Sequence, residues 1–224
     1  MENNCLKIFD RVYLINLEKR KDRLAKCLEK NNANLSGLQN LEIVKAVEGQ
    51  TLDFPNFNGS VGALGCNESH LNILKDAEKK GYSKIIILED DFSFVKNFDE
   101  LFVKGWESLP NDWDMLYLFA SDYAPPKSYN ENLLECSSTL TTVAYAVHSP
   151  IFSTLIKLLE KRKQPVDVVY GHLHFLINAY RFKKNVCEHD EGFSDVEDKN
   201  TVGSKRASIP KRAIAKVKYL IGKI

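Results

Sequence analysis

Apolar positions along this chain fall into short uninterrupted runs separated by charged, periodic stretches. Arg11 to Leu17 (RVYLINL) is a compact apolar run, and EKRKDRLAKCLEK after it places Leu24, Cys27 and Leu28 on one helical face. Leu41 to Val47 (LEIVKAV) reads as a second strand ending at Glu48-Gly49. A helix is expected from about Asn67 to Lys80, preceded by Gly62 to Gly65 (GALG) and stopped by Gly81. Ile85, Ile86, Ile87 and Leu88 then form a β-branched run without alternation, the signature of a strand buried on both faces of a parallel sheet. A helix from Asp99 to Leu109 and a strand from Trp113 to Phe119 continue the series. Strand and helix alternate, so the expected class is α/β with a central, mainly parallel sheet.

The second half changes character. Ala120 to Asn132, with Pro125 and Pro126, is long enough to read as a functional loop or lid. Thr139 to His148 (TLTTVAYAVH) is β-rich, Pro150 suits the first turn of a helix, and VDVVYGHLHFLINAYRF after Pro165 reads as a buried helix.

The richest chemistry stands where the isoleucine run stops. Glu89, Asp90 and Asp91 place three carboxylates at the carboxyl end of a central strand, where open α/β sheets keep their ligand crevices. Like charges this close need donors or a cation, and a hard divalent metal holding a phosphate-bearing substrate meets both needs; a solvated acidic turn is the plain alternative. Two further groups bear on the same end. Asn16 with Arg20 and Arg23 follows the first strand, as guanidiniums able to grip phosphate or as a solvated helix face. Gly65-Cys66-Asn67-Glu68-Ser69-His70 reads as a glycine-preceded helix start able to receive an anion, or as an ordinary capped helix with a half-buried histidine. His172, His174, Cys187 and His189 nominally offer four zinc ligands, but a spacing of two puts side chains on different faces of a helix.

In 224 residues that are 44% hydrophobic, one domain with a sizeable core is expected over 1–202. The net charge is +1, yet 203–224 holds seven basic residues and no acid, which leaves the body at −6 and gives no argument for nucleic acid. Residues 209–224 (IPKRAIAKVKYLIGKI) suit a basic amphipathic helix on an anionic membrane surface, or a helix packed on the body. Five cysteines without a C-x-x-C pair point to free thiols and a reducing compartment, and no apolar run reaches the roughly 20 residues that span a bilayer. The expected location is cytoplasmic, with peripheral contact at the inner membrane face through the tail.

The order VYLINLEKRKDR, GALGCNESHLNIL, IIILEDDFSF resembles glycosyltransferase family 25, the family of bacterial lipooligosaccharide sugar transferases and procollagen-modifying domains. The likeness continues through Asp112-Trp113-Asp114, Thr141 to Tyr145, Val166-Asp167 and Gly192 to Val196, and covers about 11–198. It implies a GT-A-like nucleotide-sugar transferase fold with a central mixed sheet flanked by helices. It also implies a UDP-sugar donor, a glycan or lipid-linked glycan acceptor, and a Mn2+ or Mg2+ cofactor on a D-x-D-like motif. On this resemblance Glu89 and Asp91 are metal ligands with His189 as an extra one. Asn16, Arg20, Arg23, Gly65, Ser69, His70 and Asp90 would surround the nucleotide sugar. Inverting transfer needs one base, for which Asp167 and Asp195 are the candidates; Asp167 also reads as a helix N-cap after Pro165 and Asp195 as a loop residue. A non-catalytic binding module and a metal-dependent phosphohydrolase are the competing readings.

Overall fold

The computed structural model describes residues 4–190 and the backbone of 193–194 and 199–200. Asp195 and the basic tail of 203–224 lie outside the described residues.

The first strand and helix form as their pattern dictates: β1 is Arg11–Asn16 and α1 is Lys21–Lys30, with Cys27 buried and Leu24 and Leu28 packed on the core. After the single turn α2 (Asn32–Leu35) comes β2 (Leu41–Lys45), parallel to β1. The next helix, α3, runs over Val61–Lys80 and so begins six residues before the expected start. Ser60 is its N-cap, the hydroxyl accepting from the Ala63 N–H at 3.0 Å, and Gly81 ends it in the left-handed region. Gly65 therefore lies inside the helix. Its missing side chain serves close packing, because a Cβ there would stand 2.4 Å from the Val47 carbonyl oxygen and 2.7 Å from the Gly49 nitrogen.

The isoleucine run becomes β3 (Lys84–Glu89), parallel to β1. Its side chains alternate between two cores. Ile86 and Leu88 join Val12, Leu14 and the aromatic face of α4 (Phe98–Glu107), whereas Ile85 and Ile87 join Tyr13, Ile15 and the apolar side of α3. All four are fully buried, each contributing about 1.5–3 kcal/mol of transfer free energy. Between β3 and α4 lies the short strand β4 (Phe92–Phe94).

Beyond α4 the sequence pattern and the structure diverge in three places. The segment expected as a functional loop or lid after β5 (Met115–Tyr117) carries two short paired strands: β6 (Ser121–Ala124) and β7 (Lys127–Ser128) lie antiparallel to β9 (Ser138–Leu140) and β8 (Leu133–Glu135) respectively. The β-rich run of 139–148 is split, because Thr141 takes φ 78° and separates β9 from β10 (Ala144–His148). The helix after Pro165 is short. Following α5 (Phe152–Leu159), α6 covers only Val166–Leu173, and the apolar residues after it form β11 (Ala179–Phe182). Two small antiparallel pairs complete the described residues: β12 (Cys187–His189) on β4, and β13 (Phe193–Ser194) on β14 (Lys199–Asn200).

The main sheet has the order β2-β1-β3-β10-β5-β11-β8-β7. Pairs β2/β1, β1/β3 and β5/β11 are parallel, and β10 enters antiparallel to both β3 and β5. This is the mixed α/β sheet flanked by helices that the resemblance implies. From β1 the chain moves outward to β2 and then returns to β1's other side as β3, so the carboxyl ends of β1 and β3 form a topological switch point.

Candidate functional site

A cleft of about 710 Å³, counting its open mouth, lies at this switch point. Ile15 comes to it from β1 and Leu17 from just beyond that strand, Ala46 to Gln50 from the turn after β2, Cys66, Ser69 and His70 from α3, and Glu89, Asp90 and Asp91 from the end of β3. Parallel register aligns Ile15 with Glu89, so Asn16 and the acidic triplet are neighbours by construction.

Asp90 and Asp91 form one half of the site. Arg23, from the first turn of α1, places Nη2 2.5 Å from an oxygen of each carboxylate, and Asn16 donates its amide to Asp90 and to the Arg20 carbonyl oxygen. Burial lifts the Asp90 carboxyl to about 6, against the pull of Arg23 and the Asn16 hydrogen bond. For Asp91, burial pushes upward, but the His189 hydrogen bond and the Arg23 charge together bring the carboxyl below its ordinary value. His189 on β12 stands with Nε2 3.4 Å from Asp91, which raises the imidazole's proton affinity. The other Asp91 oxygen, Oδ1, is buried without a hydrogen-bond partner. A buried, ionised oxygen left open beside a histidine suits a hard divalent cation.

Glu89 faces a different set of groups. Thr142 donates its hydroxyl to Glu89 Oε1 at 2.7 Å, and His70 Nε2 stands 3.5 Å from the same oxygen. Of the three expected metal ligands, Asp91 and His189 meet directly, whereas Glu89 turns to Thr142 and His70. Ser69 lines the cleft with a hydroxyl already engaged: it donates to the Gly65 carbonyl and accepts from the Val47 N–H, each at 2.8 Å, and so pins the turn after β2. Arg20 gives its carbonyl to Asn16 and ion-pairs with Asp22 at 3.3 Å. The anion-receiving helix start is displaced, since Gly65 to His70 sit one to three turns inside α3.

Asp167 lies in the first turn of α6, whose N-cap is Pro165. Its carboxylate accepts from the Val168 N–H at 2.8 Å and from the Thr141 N–H at 3.5 Å, which braces the left-handed corner between β9 and β10. The four-ligand zinc arrangement does not assemble. His174 accepts the Thr139 N–H at Nδ1 and meets the Tyr117 hydroxyl at Nε2, each at 3.0 Å. Among the described residues one group of three metal-binding side chains converges, and it is Cys66, His70 and Glu89. Cys66 and Thr142 were not singled out from the sequence as site residues. The i, i+4 spacing of Cys66 and His70 on one helix face was the available signal.

All five cysteines are free, and no helix among the described residues is long and apolar enough to cross a membrane.

Procollagen galactosyltransferase 2 from Mus musculus is 26% identical over 165 residues, which is 62% of this chain and 26% of that protein. The probable inactive glycosyltransferase 25 family member 3 from Rattus norvegicus is 29% identical over 135 residues, 49% of this chain and 22% of that protein. The chain thus spans about a quarter of the length of these curated relatives. Among solved structures, a glycosyltransferase involved in glycosylation of the major capsid of PBCV-1 has a TM-score of 0.42 at 14% identity, over 68% of this chain and 66% of that one. The family profile described as "Glycosyltransferase family 25 (LPS biosynthesis protein)" matches residues 9–124, from before β1 to the end of β6, and the chain belongs to that family.

Proposed function

We propose that this protein transfers a sugar, with inversion, from a UDP-sugar to a hydroxyl of a glycan or lipid-linked glycan acceptor such as lipooligosaccharide. The observation that carries the reading is Asp91 Oδ1, buried and unpartnered at the mouth of β3 in a cleft at the sheet's switch point. In such a transfer the acceptor oxygen bonds to the anomeric carbon as the bond from that carbon to the diphosphate breaks, and the acceptor proton passes to a carboxylate. A Mn2+ or Mg2+ ion on Asp91 and His189 would supply charge stabilisation for the departing diphosphate. Arg23 and Asn16 hold Asp90 and Asp91 in place, and the turn pinned by Ser69 closes one wall of the cleft. Asp167 is the described candidate for the base, with Asp195 as the other. A cytoplasmic enzyme at the inner membrane face would meet both substrates.

One observation favours a second reading, a binding module without turnover: Arg23 already supplies a cation to both Asp90 and Asp91. The deciding experiment is thermal stability with UDP, UDP-sugars and other nucleotide sugars, with and without Mn2+, followed by product analysis with a glycan acceptor. Mn2+-dependent stabilisation by a uridine nucleotide, lost in Asp91→Asn and accompanied by sugar transfer, supports the enzyme. Stabilisation without transfer supports a nucleotide-binding module, and absence of any nucleotide effect sinks the enzyme and leaves a glycan-binding module as the reading.

A further inference from the structure

Cys66 and His70 lie one helical turn apart on α3, and the end of β3 brings Glu89 against them. Cys66 Sγ, an imidazole nitrogen of His70 and a Glu89 carboxylate oxygen all lie within 4.8 Å of one another. His70 is fully buried, and its Nε2 has no hydrogen-bond partner although it stands 3.5 Å from Glu89 Oε1. Its other nitrogen, Nδ1, is 2.7 Å from the Tyr145 hydroxyl, which in turn stands 3.5 Å from that of Tyr170.

We propose that Cys66, His70 and Glu89 form a second cation site in the cleft wall, for a thiolate-accepting divalent ion of the zinc type. Three features argue for it. The donor set is sulfur, nitrogen and oxygen, which a borderline-soft ion prefers and which Mg2+ does not. The histidine is oriented as ligating histidines are, with a hydroxyl at Nδ1 to take its proton and Nε2 left over for the ion. Glu89 is likewise held from behind, by the Thr142 hydroxyl at 2.7 Å.

The separations are compatible with metal. Bond lengths of about 2.0–2.3 Å in a tetrahedron put ligand atoms roughly 3.3–3.8 Å apart, so the present spacing closes with side-chain shifts of about 1 Å. All three residues line the cleft, so an ion enters from it and keeps a fourth position for water or another ligand. Binding displaces the Cys66 thiol proton to solvent and clamps α3 to the end of β3, the two elements that frame the cleft. The site does not depend on the transfer reaction, and it differs from the Asp91 position in lacking Asp91, His189 and Arg23.

The test uses the full chain and Co2+ alone, with no nucleotide present. One equivalent of Co2+ is expected to give a thiolate-to-cobalt charge-transfer band that Zn2+ abolishes. Cys66→Ser should remove the band and weaken Co2+ binding at least about tenfold, and Asp91→Asn should leave it in place. Absence of the band in the wild type, its survival in Cys66→Ser, or its loss in a folded Asp91→Asn would each overturn the proposal. A measurement on the wild type alone guards against a misfolded variant: Zn2+ should slow iodoacetamide labelling of Cys66, which is half-buried whereas the other four cysteines are buried. An unchanged labelling rate at saturating Zn2+ overturns the site.

Discussion

Asp91 gives one carboxylate oxygen to Arg23 at 2.5 Å and leaves the other buried without a partner. The same Arg23 nitrogen contacts Asp90 at 2.5 Å, so one guanidinium holds two adjacent carboxylates that would otherwise repel. The arrangement is half-neutralised by the protein itself, and the remaining charge points at a cleft.

Removing Arg23 tests this balance. All three side chains are at most one-fifth exposed, so Arg23→Ala should cost about 2–4 kcal/mol by leaving charge buried and uncompensated. Added Mn2+ should restore part of that loss, because a divalent ion takes over the neutralising role. Urea denaturation of wild type and variant with and without Mn2+ is the measurement. An Arg23→Ala protein as stable as wild type would show that the acidic pair is solvated after all.

The parts of this fold that were legible in the sequence are those where one pattern had one solution. Ile85 to Leu88 had to be a doubly buried strand, and the acids after it had to stand at its carboxyl end. The start of α3 was misread because glycine ordinarily breaks helices, and the reason for Gly65 lies in the distant backbone of Val47 and Gly49. The run after Pro165 was misread for another reason: continuous apolar residues do not distinguish a buried helix from a buried strand, and here the chain is helix to Leu173 and strand from Ala179. The site was legible as a list and not as a partition. Nothing local indicates that Glu89 turns toward Cys66, His70 and Thr142 while Asp91 turns toward Arg23 and His189, because Thr142 arrives from the corner between β9 and β10 and His189 from β12, both far along the chain.

Gly65 makes the second prediction. A methyl group at this position meets backbone, which cannot rotate away, so Gly65→Ala should destabilise the protein by about 1–3 kcal/mol. The displaced element would be the turn of 46–50, a wall of the cleft. Nucleotide affinity should therefore fall with stability, whereas Gly81→Ala, which meets no atom within 4 Å and strains only its φ of 68°, should leave affinity unchanged while lowering stability. Equal affinity in Gly65→Ala and wild type would separate the turn from the binding site.

Asp167 has a structural task and a proposed chemical one, and they separate by substitution. Asp167→Asn keeps one acceptor oxygen, enough for the Val168 N–H, gives up the second oxygen to which the Thr141 N–H donates at 3.5 Å, and loses the basic carboxylate. If Asp167 is the base, kcat should fall by about 10²–10⁴-fold with the nucleotide-dependent thermal shift unchanged. Unaltered kcat in Asp167→Asn would assign the base to Asp195.

The last prediction concerns acid stability and rests on His174. This residue is 2% exposed between the Tyr117 hydroxyl and the Thr139 N–H, and burial lowers its pKa to about 3. Because Nδ1 accepts the Thr139 N–H, the neutral ring carries its proton on Nε2 and donates to Tyr117. Adding a second proton would break the Thr139 bond and bury a charge. Between pH 6.5 and 3 the unfolded chain binds a proton at this histidine and the folded chain does not, so stability is complete above 6.5 and is lost as the pH falls. The slope should approach about 1.4 kcal/mol per pH unit from this one group, for a total of roughly 5 kcal/mol across the window. His174→Gln, which keeps a donor and an acceptor but cannot titrate, should flatten that slope by about one proton. Denaturation free energies at pH 7.5, 6, 5 and 4.5 for the two proteins decide it, and parallel curves would show that acid sensitivity originates elsewhere.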